Sequence, residues 1–171
     1  MESVRDNLEF SLEAWPEAGI ECDFALPPNV LSEALKLDPE EGETPRLLTS
    51  MRGHLSLALA GNKLRVRGFF AVKLELVCHR CLAPFTGRLD DKFDDTVQIA
   101  GTGDEDEDAL SGLVPLRGQV FDLTPLMAEF FWLAWPYKAL CRPDCAGLCP
   151  DCGANLNEGP CFCEGSGPTR H

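Results

Sequence analysis

The chain has 171 residues, 44% of them hydrophobic, with 28 acidic and 15 basic residues and a net charge of −13. This length and composition predict one globular domain, or one domain with an appendage, that buries a core without disulfide bonds. The longest apolar run, Phe130 to Trp135, is too short to span a bilayer, and residues 1–6 lack the basic start of a secretory signal. We therefore expect a cytoplasmic protein with reduced thiols.

The charge is distributed unevenly along the chain. Between Arg46 and Arg88 there are eight basic residues and one acid, Glu75, so this window is +7 and the remainder is −20. The window is compatible with an ordinary solvated strand face and with a small anion-binding or RNA-binding patch. Both interpretations stay open at this point.

The N-terminal third predicts two short elements. Leu8, Phe10 and Leu12 alternate with charged or polar residues, which indicates a strand. Pro27-Pro28 interrupts the chain, and Asn29 is predicted to cap a short helix over residues 30–37. An exposed loop is expected at residues 40–45.

The middle of the chain predicts an antiparallel β-meander. Gly61-Asn62 is typical of a two-residue hairpin turn, which would pair Ala60 with Lys63. With that register, the period of two places a set of apolar residues on the core face. These residues are Leu55, Leu57, Leu59, Leu64, Val66, Phe70, Val72, Leu74 and Leu76. A third strand is predicted from the alternation that begins at Phe85 and ends at Ile99.

The outward face of this meander carries the candidate RNA-binding residues. They are Lys63, Arg65, Arg67, Lys73 and Arg88. Phe69 has the same phase and could stack a nucleic-acid base while the cations meet phosphates.

An acidic loop and a helix follow the meander. Residues 101–112 contain five consecutive acids, which predicts a mobile loop without a metal site. Thr124 is the predicted N-cap and Pro125 the first residue of a helix that runs to about Trp135. Because that helix is apolar nearly all round, we expect it to be buried.

Eight of the nine cysteines occur in closely spaced pairs, and Cys22 stands alone as an expected buried thiol. The paired residues are Cys78, Cys81, Cys141, Cys145, Cys149, Cys152, Cys161 and Cys163. Eight thiolates would fill two tetrahedral Zn²⁺ sites, or one site with four spare thiols. One arrangement joins the two CxxC pairs, and another closes a site within the C-terminal segment alone, so the grouping remains open.

Three other uses of cysteine are alternatives to zinc binding. A disulfide framework needs an oxidising compartment, for which there is no signal. A thiol-redox enzyme places its CxxC at a helix N-terminus, whereas Cys78 and Cys81 lie between predicted strands. An iron–sulfur cluster uses the same ligands and remains an alternative. No nucleophile–base pair, phosphate loop or HExxH motif is present, so no catalytic residue and no small-molecule substrate are predicted.

Several short motifs occur in an order that resembles the YceD family, the large ribosomal RNA subunit accumulation proteins. They are Cys78-x-Arg80-Cys81-Leu82 with Pro84-Phe85, Asp122-Leu123-Thr124-Pro125 with Glu129, Cys141 to Gly153, Asn155-Leu156-Asn157, and Cys161-x-Cys163. The resemblance covers residues 50–163 and implies a non-enzymatic factor needed for accumulation of 23S ribosomal RNA. Some members lack the cysteine-rich tail, which implies that zinc is structural.

The predicted fold class is α+β, an antiparallel meander curling towards a barrel, with a buried helix and a zinc-knuckle segment. Residues 1–138 are expected to form the core domain, 139–164 the zinc-binding segment and 165–171 a disordered tail. The expected partners are 23S rRNA or its precursor on the basic strand face and a basic ribosomal protein on the acidic surface, with no membrane. A thiol-based redox sensor and a zinc-stabilised adaptor are the alternatives.

Overall fold

The computed structural model describes residues 4–13, 15–37, 45–101 and 113–163. Within them lie eight strands and two helices. They are β1 (Glu9–Ser11), β2 (Ile20–Leu26), α1 (Pro28–Ala34), β3 (Arg46–Leu47), β4 (Met51–Ala60), β5 (Lys63–Val77), β6 (Pro84–Gly101), β7 (Leu113–Arg117), β8 (Val120–Asp122) and α2 (Thr124–Leu133). The predicted acidic loop, most of the loop at 40–45 and the predicted disordered tail lie outside the described residues. No described helix is both long enough and apolar enough to cross a membrane.

The strands form one mixed sheet in the order β1-β8-β7-β6-β5-β4-β2, with β3 pairing with β5. The predicted meander corresponds to the neighbouring strands β4, β5 and β6. The sheet as a whole is not purely antiparallel, because β7 runs parallel to β6. A further bridge joins Arg5, just before β1, to Phe24 in β2, which links the two ends of the strand order.

The hairpin register matches the sequence prediction. Ala60 pairs with Lys63 and Leu59 with Leu64, across a turn in which Gly61 has φ +63°. The predicted core residues of β4 and β5 are buried, except that Leu59 and Leu76 are half-buried. Lys63, Arg65 and Arg67 alternate with them on the exposed face. The period of two and the turn therefore fix this part of the sheet locally.

Both helices begin at different residues from those predicted. The N-cap of α2 is Leu123, not Thr124, and the Asp122 Oδ1 accepts a hydrogen bond from the Thr124 N–H at 2.8 Å. That carboxylate satisfies one of the backbone donors left over at a helix start. Helix α1 starts at Pro28, behind Pro27 as N-cap, because proline suits the first helical position better than the predicted Asn29 cap.

Helix α2 is shorter and less buried than expected. Its buried residues are Thr124, Leu126, Met127, Ala128, Phe130 and Phe131. Trp132 is 44% exposed and Leu133 is 80% exposed, so the helix is not enclosed on all sides. It ends at Leu133 and not near Trp135.

The chain divides into two compact units. The larger contains residues 1–74 and 88–135, and the smaller contains residues 75–87 and 136–171. The division predicted at residue 138 remains a prediction. The smaller unit combines the end of β5, the start of β6 and the cysteine-rich segment, so it contains all eight paired cysteines.

Candidate functional site

The first cysteine group combines the β5–β6 connection with the start of the C-terminal segment. Cys78, Cys81, Cys141 and Cys145 have Sγ atoms that all lie within 4.8 Å of one another. The Sγ–Sγ distance is 3.7 Å from Cys78 to Cys145 and 3.8 Å from Cys81 to Cys141. A tetrahedral metal with bonds of about 2.3 Å to sulfur separates its ligands by about 3.8 Å. The group therefore has the donor chemistry and the spacing of a four-thiolate metal site.

The second group lies entirely in the C-terminal segment. It contains Cys149, Cys152, Cys161 and Cys163, again with all Sγ atoms within 4.8 Å. The Sγ of Cys149 lies 3.3 Å from that of Cys161 and 3.6 Å from that of Cys163. Of the groupings left open by the sequence, the structure brings together four cysteines within the C-terminal segment, whereas the two CxxC pairs belong to different groups. Cys22 belongs to neither and lies buried in β2 of the larger unit.

The two CxxC turns share one backbone pattern. In the first, the Leu82 N–H donates to the Cys78 carbonyl at 2.9 Å, and the Cys78 N–H donates to the Ala83 carbonyl at 2.9 Å. In the second, the Gly153 N–H donates to the Cys149 carbonyl at 2.9 Å, and the Cys149 N–H donates to the Ala154 carbonyl at 2.8 Å. The residue after the second cysteine has positive φ in both turns, +55° at Leu82 and +73° at Gly153.

Backbone N–H groups in these turns favour the thiolate at the first cysteine of each CxxC. Burial alone would raise the pKa of Cys78, but hydrogen bonds from the backbone of Cys81, Cys141 and Arg80 lower it to about 5. The backbone of Cys152 and Asp151 lowers the pKa of Cys149 to about 6. Both turns are therefore organised to present a deprotonated sulfur.

The remaining thiols of the first group differ in acidity. Burial and the neighbouring sulfurs raise the pKa of Cys141 to about 12. The pKa of Cys145 is lowered, because hydrogen bonds from the Asn157 side chain and the Gly147 backbone outweigh its burial. Crowded sulfurs cannot all ionise without a nearby cation, and a bound metal ion supplies that charge.

Asn157 and Arg80 support the first group, and the sequence did not single out either residue for this role. Asn157 Nδ2 donates to the Cys145 Sγ at 3.4 Å. Its Oδ1 accepts hydrogen bonds from Arg142 Nη2 at 2.7 Å and from the Ala146 N–H at 2.8 Å. Arg80 Nη1 donates to the Cys145 carbonyl at 2.9 Å. The Asn155-Leu156-Asn157 motif was visible in the sequence, but its position did not predict a hydrogen bond to a cysteine sulfur.

The candidate RNA-binding residues lie on the exposed face of β5 and β6 in the larger unit. Phe69 is 50% exposed among them. Asp94 on β6 pairs with Arg65 at 2.8 Å and with Arg67 at 3.3 Å. The Arg65 guanidinium holds the pKa of Asp94 below its usual range. Asp94 therefore offsets part of the positive charge that the sequence placed on this face.

A histidine with two carboxylate partners occupies the neighbouring part of the same face. His54 Nδ1 lies 2.9 Å from Asp23 Oδ1, and its Nε2 lies 2.8 Å from Glu21 Oε2. The hydrogen bond to Asp23, then that to Glu21, raises the pKa of His54. The His54 ring stacks on Phe69 with 6.4 Å between centroids. Sequence spacing gave no signal for this cluster, since His54 is 31 residues from Asp23 and 33 from Glu21.

Comparison with known proteins gives relatives that match part of the chain. An uncharacterized protein of Mycobacterium tuberculosis is 31% identical over 83 residues, which covers 48% of this chain and 40% of the relative. The chloroplastic large ribosomal RNA subunit accumulation protein YCED homolog 1 of Zea mays is 35% identical over 77 residues, covering 44% and 26%. The aligned segment thus spans less than half of either relative. No solved structure matches the chain significantly.

The family of large ribosomal RNA subunit accumulation protein YceD matches residues 66–170. The matched range includes most of β5, all of β6 and α2, and all eight cysteines of the two groups. It covers more than half of the chain and agrees with the resemblance read from the motifs. The chain is therefore a member of the YceD family.

Proposed function

We propose that this protein is a non-enzymatic factor that supports accumulation of 23S ribosomal RNA during assembly of the large ribosomal subunit. The single observation that carries the proposal is the family match over residues 66–170, which spans both cysteine groups, most of β5 and all of β6. The name of the maize relative also refers to the large ribosomal RNA subunit. We expect the protein to act in the cytoplasm.

Each cysteine group would hold one Zn²⁺ as a structural ion. Four sulfurs at tetrahedral spacing form a closed site without an open position for substrate, which favours a structural role over a catalytic one. The first site would join the β5–β6 connection to the segment that follows α2, and the second would organise the residues from Cys149 to Cys163. The metal would thus supply folding energy to the smaller unit.

RNA contact would use the outward face of β5 and β6. The proposed contact residues are Lys63, Arg65, Arg67, Lys73 and Arg88. All five side chains are exposed, and Phe69 lies among them as a stacking platform. The acidic remainder of the chain would repel other RNA segments and would suit a basic ribosomal protein as second partner.

Complementation tests the proposal directly. In a bacterium whose own family member has been deleted, expression of this chain should restore the ratio of 23S to 16S rRNA. A growth defect unrelated to this family would not be corrected by expression of the chain. 16S rRNA is the internal control for such general effects. An unchanged amount of 23S rRNA after expression of the chain in the deletion strain would favour the adaptor alternative instead. Stable binding of the chain to a partner without any effect on 23S rRNA would favour it too.

A further inference from the structure

Five of the seven residues that line a small cavity in the larger unit have cationic or hydroxyl side chains. Its volume is about 280 Å³, and it lies on the outer face of β4, β5 and β6. The lining residues are Thr49, Ser50, Arg52, Ala71, Val72, Lys73 and Arg88. They include three cations, two hydroxyl groups and no acid. Like charges gathered in this way repel one another unless an anion lies between them.

The register of the sheet brings the two main cations together. Arg52 lies directly opposite Ala71 in the β4–β5 pair, so Lys73 is its diagonal neighbour, about 7–8 Å away between Cα atoms. The small Ala71 side chain leaves space between the longer side chains. Neither Arg52 nor Lys73 forms an ion pair with any described residue, whereas Arg88 is shared with Asp90 at 2.9 Å. This contrasts with Arg65 and Arg67, which both face Asp94.

The hydroxyl side of the cavity is held in place by the backbone. The segment that links β3 to β4 is anchored on Lys73, whose carbonyl accepts hydrogen bonds from the Leu48 N–H at 2.8 Å and the Thr49 N–H at 3.3 Å. The Lys73 N–H donates in turn to the Thr49 Oγ1 at 3.1 Å. These three bonds fix Thr49 beside Lys73 before any ligand binds, which lowers the entropic cost of binding.

We propose that this cavity binds a backbone phosphate of single-stranded RNA through Arg52, Lys73 and Arg88, with Thr49 and Ser50 as hydroxyl partners. Guanidinium and ammonium groups are the usual ligands of phosphate oxygens. RNA is favoured over a phosphorylated peptide because Phe69 is exposed on the same face of β5. Phe69 is four residues from Lys73, about 13 Å along the strand at 3.3 Å per residue. Cations that bind the backbone and an exposed aromatic ring on the same strand face are the combination that binds single-stranded nucleic acid.

The inference deepens the RNA contact in the proposed function and rests on it. It adds Arg52, Thr49 and Ser50 to the earlier set, and it moves the main phosphate contact away from Arg65 and Arg67. The test compares the pair Arg52→Gln/Lys73→Gln with the control pair Arg117→Gln/Lys138→Gln. Both pairs change exposed residues and remove the same charge, but the control residues lie outside β4, β5 and β6.

The measurement is fluorescence anisotropy of a short single-stranded RNA of mixed sequence over a series of salt concentrations, on the full chain. The cavity pair should reduce the slope of log K against log salt by about 0.7, the value for the loss of one phosphate contact. The control pair should change it much less. Equal reductions of the slope in the two pairs would mean that RNA is attracted by charge without a specific site. No RNA binding by the unaltered chain would mean that RNA does not occupy the cavity. Either result overturns the inference.

Two further measurements distinguish RNA from other possible ligands of the cavity, and this inference from the proposed function. Inorganic phosphate and a phosphoserine peptide are titrated while the amide NMR signals of Thr49 and Lys73 are followed. Tighter binding of the peptide than of the RNA would overturn the assignment to RNA. If the cavity pair restores 23S rRNA in the deletion strain as well as the unaltered chain does, the inference fails while the proposed function stands.

Discussion

The side-chain amide of Asn157 donates a hydrogen bond to the Cys145 sulfur at 3.4 Å. Asn157 lies between Cys152 and Cys161 of the second cysteine group, whereas Cys145 belongs to the first. The loop of one group therefore supports a ligand of the other. Groups that hydrogen-bond to metal ligands usually change metal affinity by about 10–100-fold when they are removed.

Asn157→Asp should weaken metal binding at the first group. The substitution preserves the shape of the side chain but places a carboxylate oxygen where an amide donor faced the sulfur, so it repels the thiolate. We expect about a tenfold loss of affinity or more, measured by competition with a chromophoric zinc chelator. Asn29→Asp, on the exposed part of α1, is the matched control. Equal chelator competition by both variants would show that Asn157 has no influence on the sulfur.

Single cysteine substitutions should remove the metal ions one at a time. Cys78→Ser should lose the ion of the first group and Cys149→Ser that of the second, because three thiolates hold zinc much more weakly than four. Cys22→Ala should retain both, since Cys22 lies outside the groups. Zinc per chain is measured after purification without added metal, together with native thiol titration. If the unaltered chain contained no metal, or if several of its thiols reacted quickly, the redox-sensing function would be favoured.

The two CxxC turns should respond oppositely to changes at their positive-φ residues. Gly153→Ala should lower the thermal midpoint, because a side chain in the left-handed region costs about 1–2 kcal/mol. No neighbouring atom would meet the new methyl group, so the effect is purely conformational. Leu82→Gly should be neutral or stabilising, since Leu82 has φ +55° and is 64% exposed. A clear destabilisation by Leu82→Gly would instead point to a packing role for the leucine.

Asp94→Asn should strengthen RNA binding if the basic face contacts RNA. The change releases Arg65 and Arg67 from the carboxylate that lies 2.8 Å and 3.3 Å from them. It should steepen the salt dependence by up to about 1.4, at about 0.7 for each freed cation that reaches a phosphate. Asp95→Asn removes the same charge from the next residue and is the control. A similar gain in the two variants would mean that only net charge matters.

His54 should make stability fall as pH rises above about 6.5. Because its folded-state pKa is raised, its contribution is fully present below the unfolded value of about 6.5 and is lost as pH rises through the folded value. The side chains of His54, Asp23 and Glu21 are all at least one-third exposed, so the effect should remain below about 1 kcal/mol. NMR titration should show a lower pKa for His54 in Asp23→Asn. Identical pKa values in the two proteins would contradict the role of Asp23.

Local patterns predicted the central hairpin and its buried face correctly. Each contact there joins residues that are close in the chain, such as Ala60 and Lys63, and alternation with a period of two decides which side chains are buried. The helix starts were less predictable. Whether Leu123 or Thr124 is the N-cap of α2 depends on a difference of one residue in backbone geometry, which composition does not encode.

The sequence by itself determined the family, the register of the β4–β5 hairpin and the set of eight candidate metal ligands. The tertiary structure decided how those ligands divide, because Cys78 meets Cys145 across 67 residues and Cys81 meets Cys141 across 60. It also decided that Asp94 faces Arg65 and Arg67 while Arg52 and Lys73 line the same cavity. Spacing along the chain fixes only near neighbours. Distant pairings depend on which strands become adjacent, and so they emerge only once the whole chain has folded.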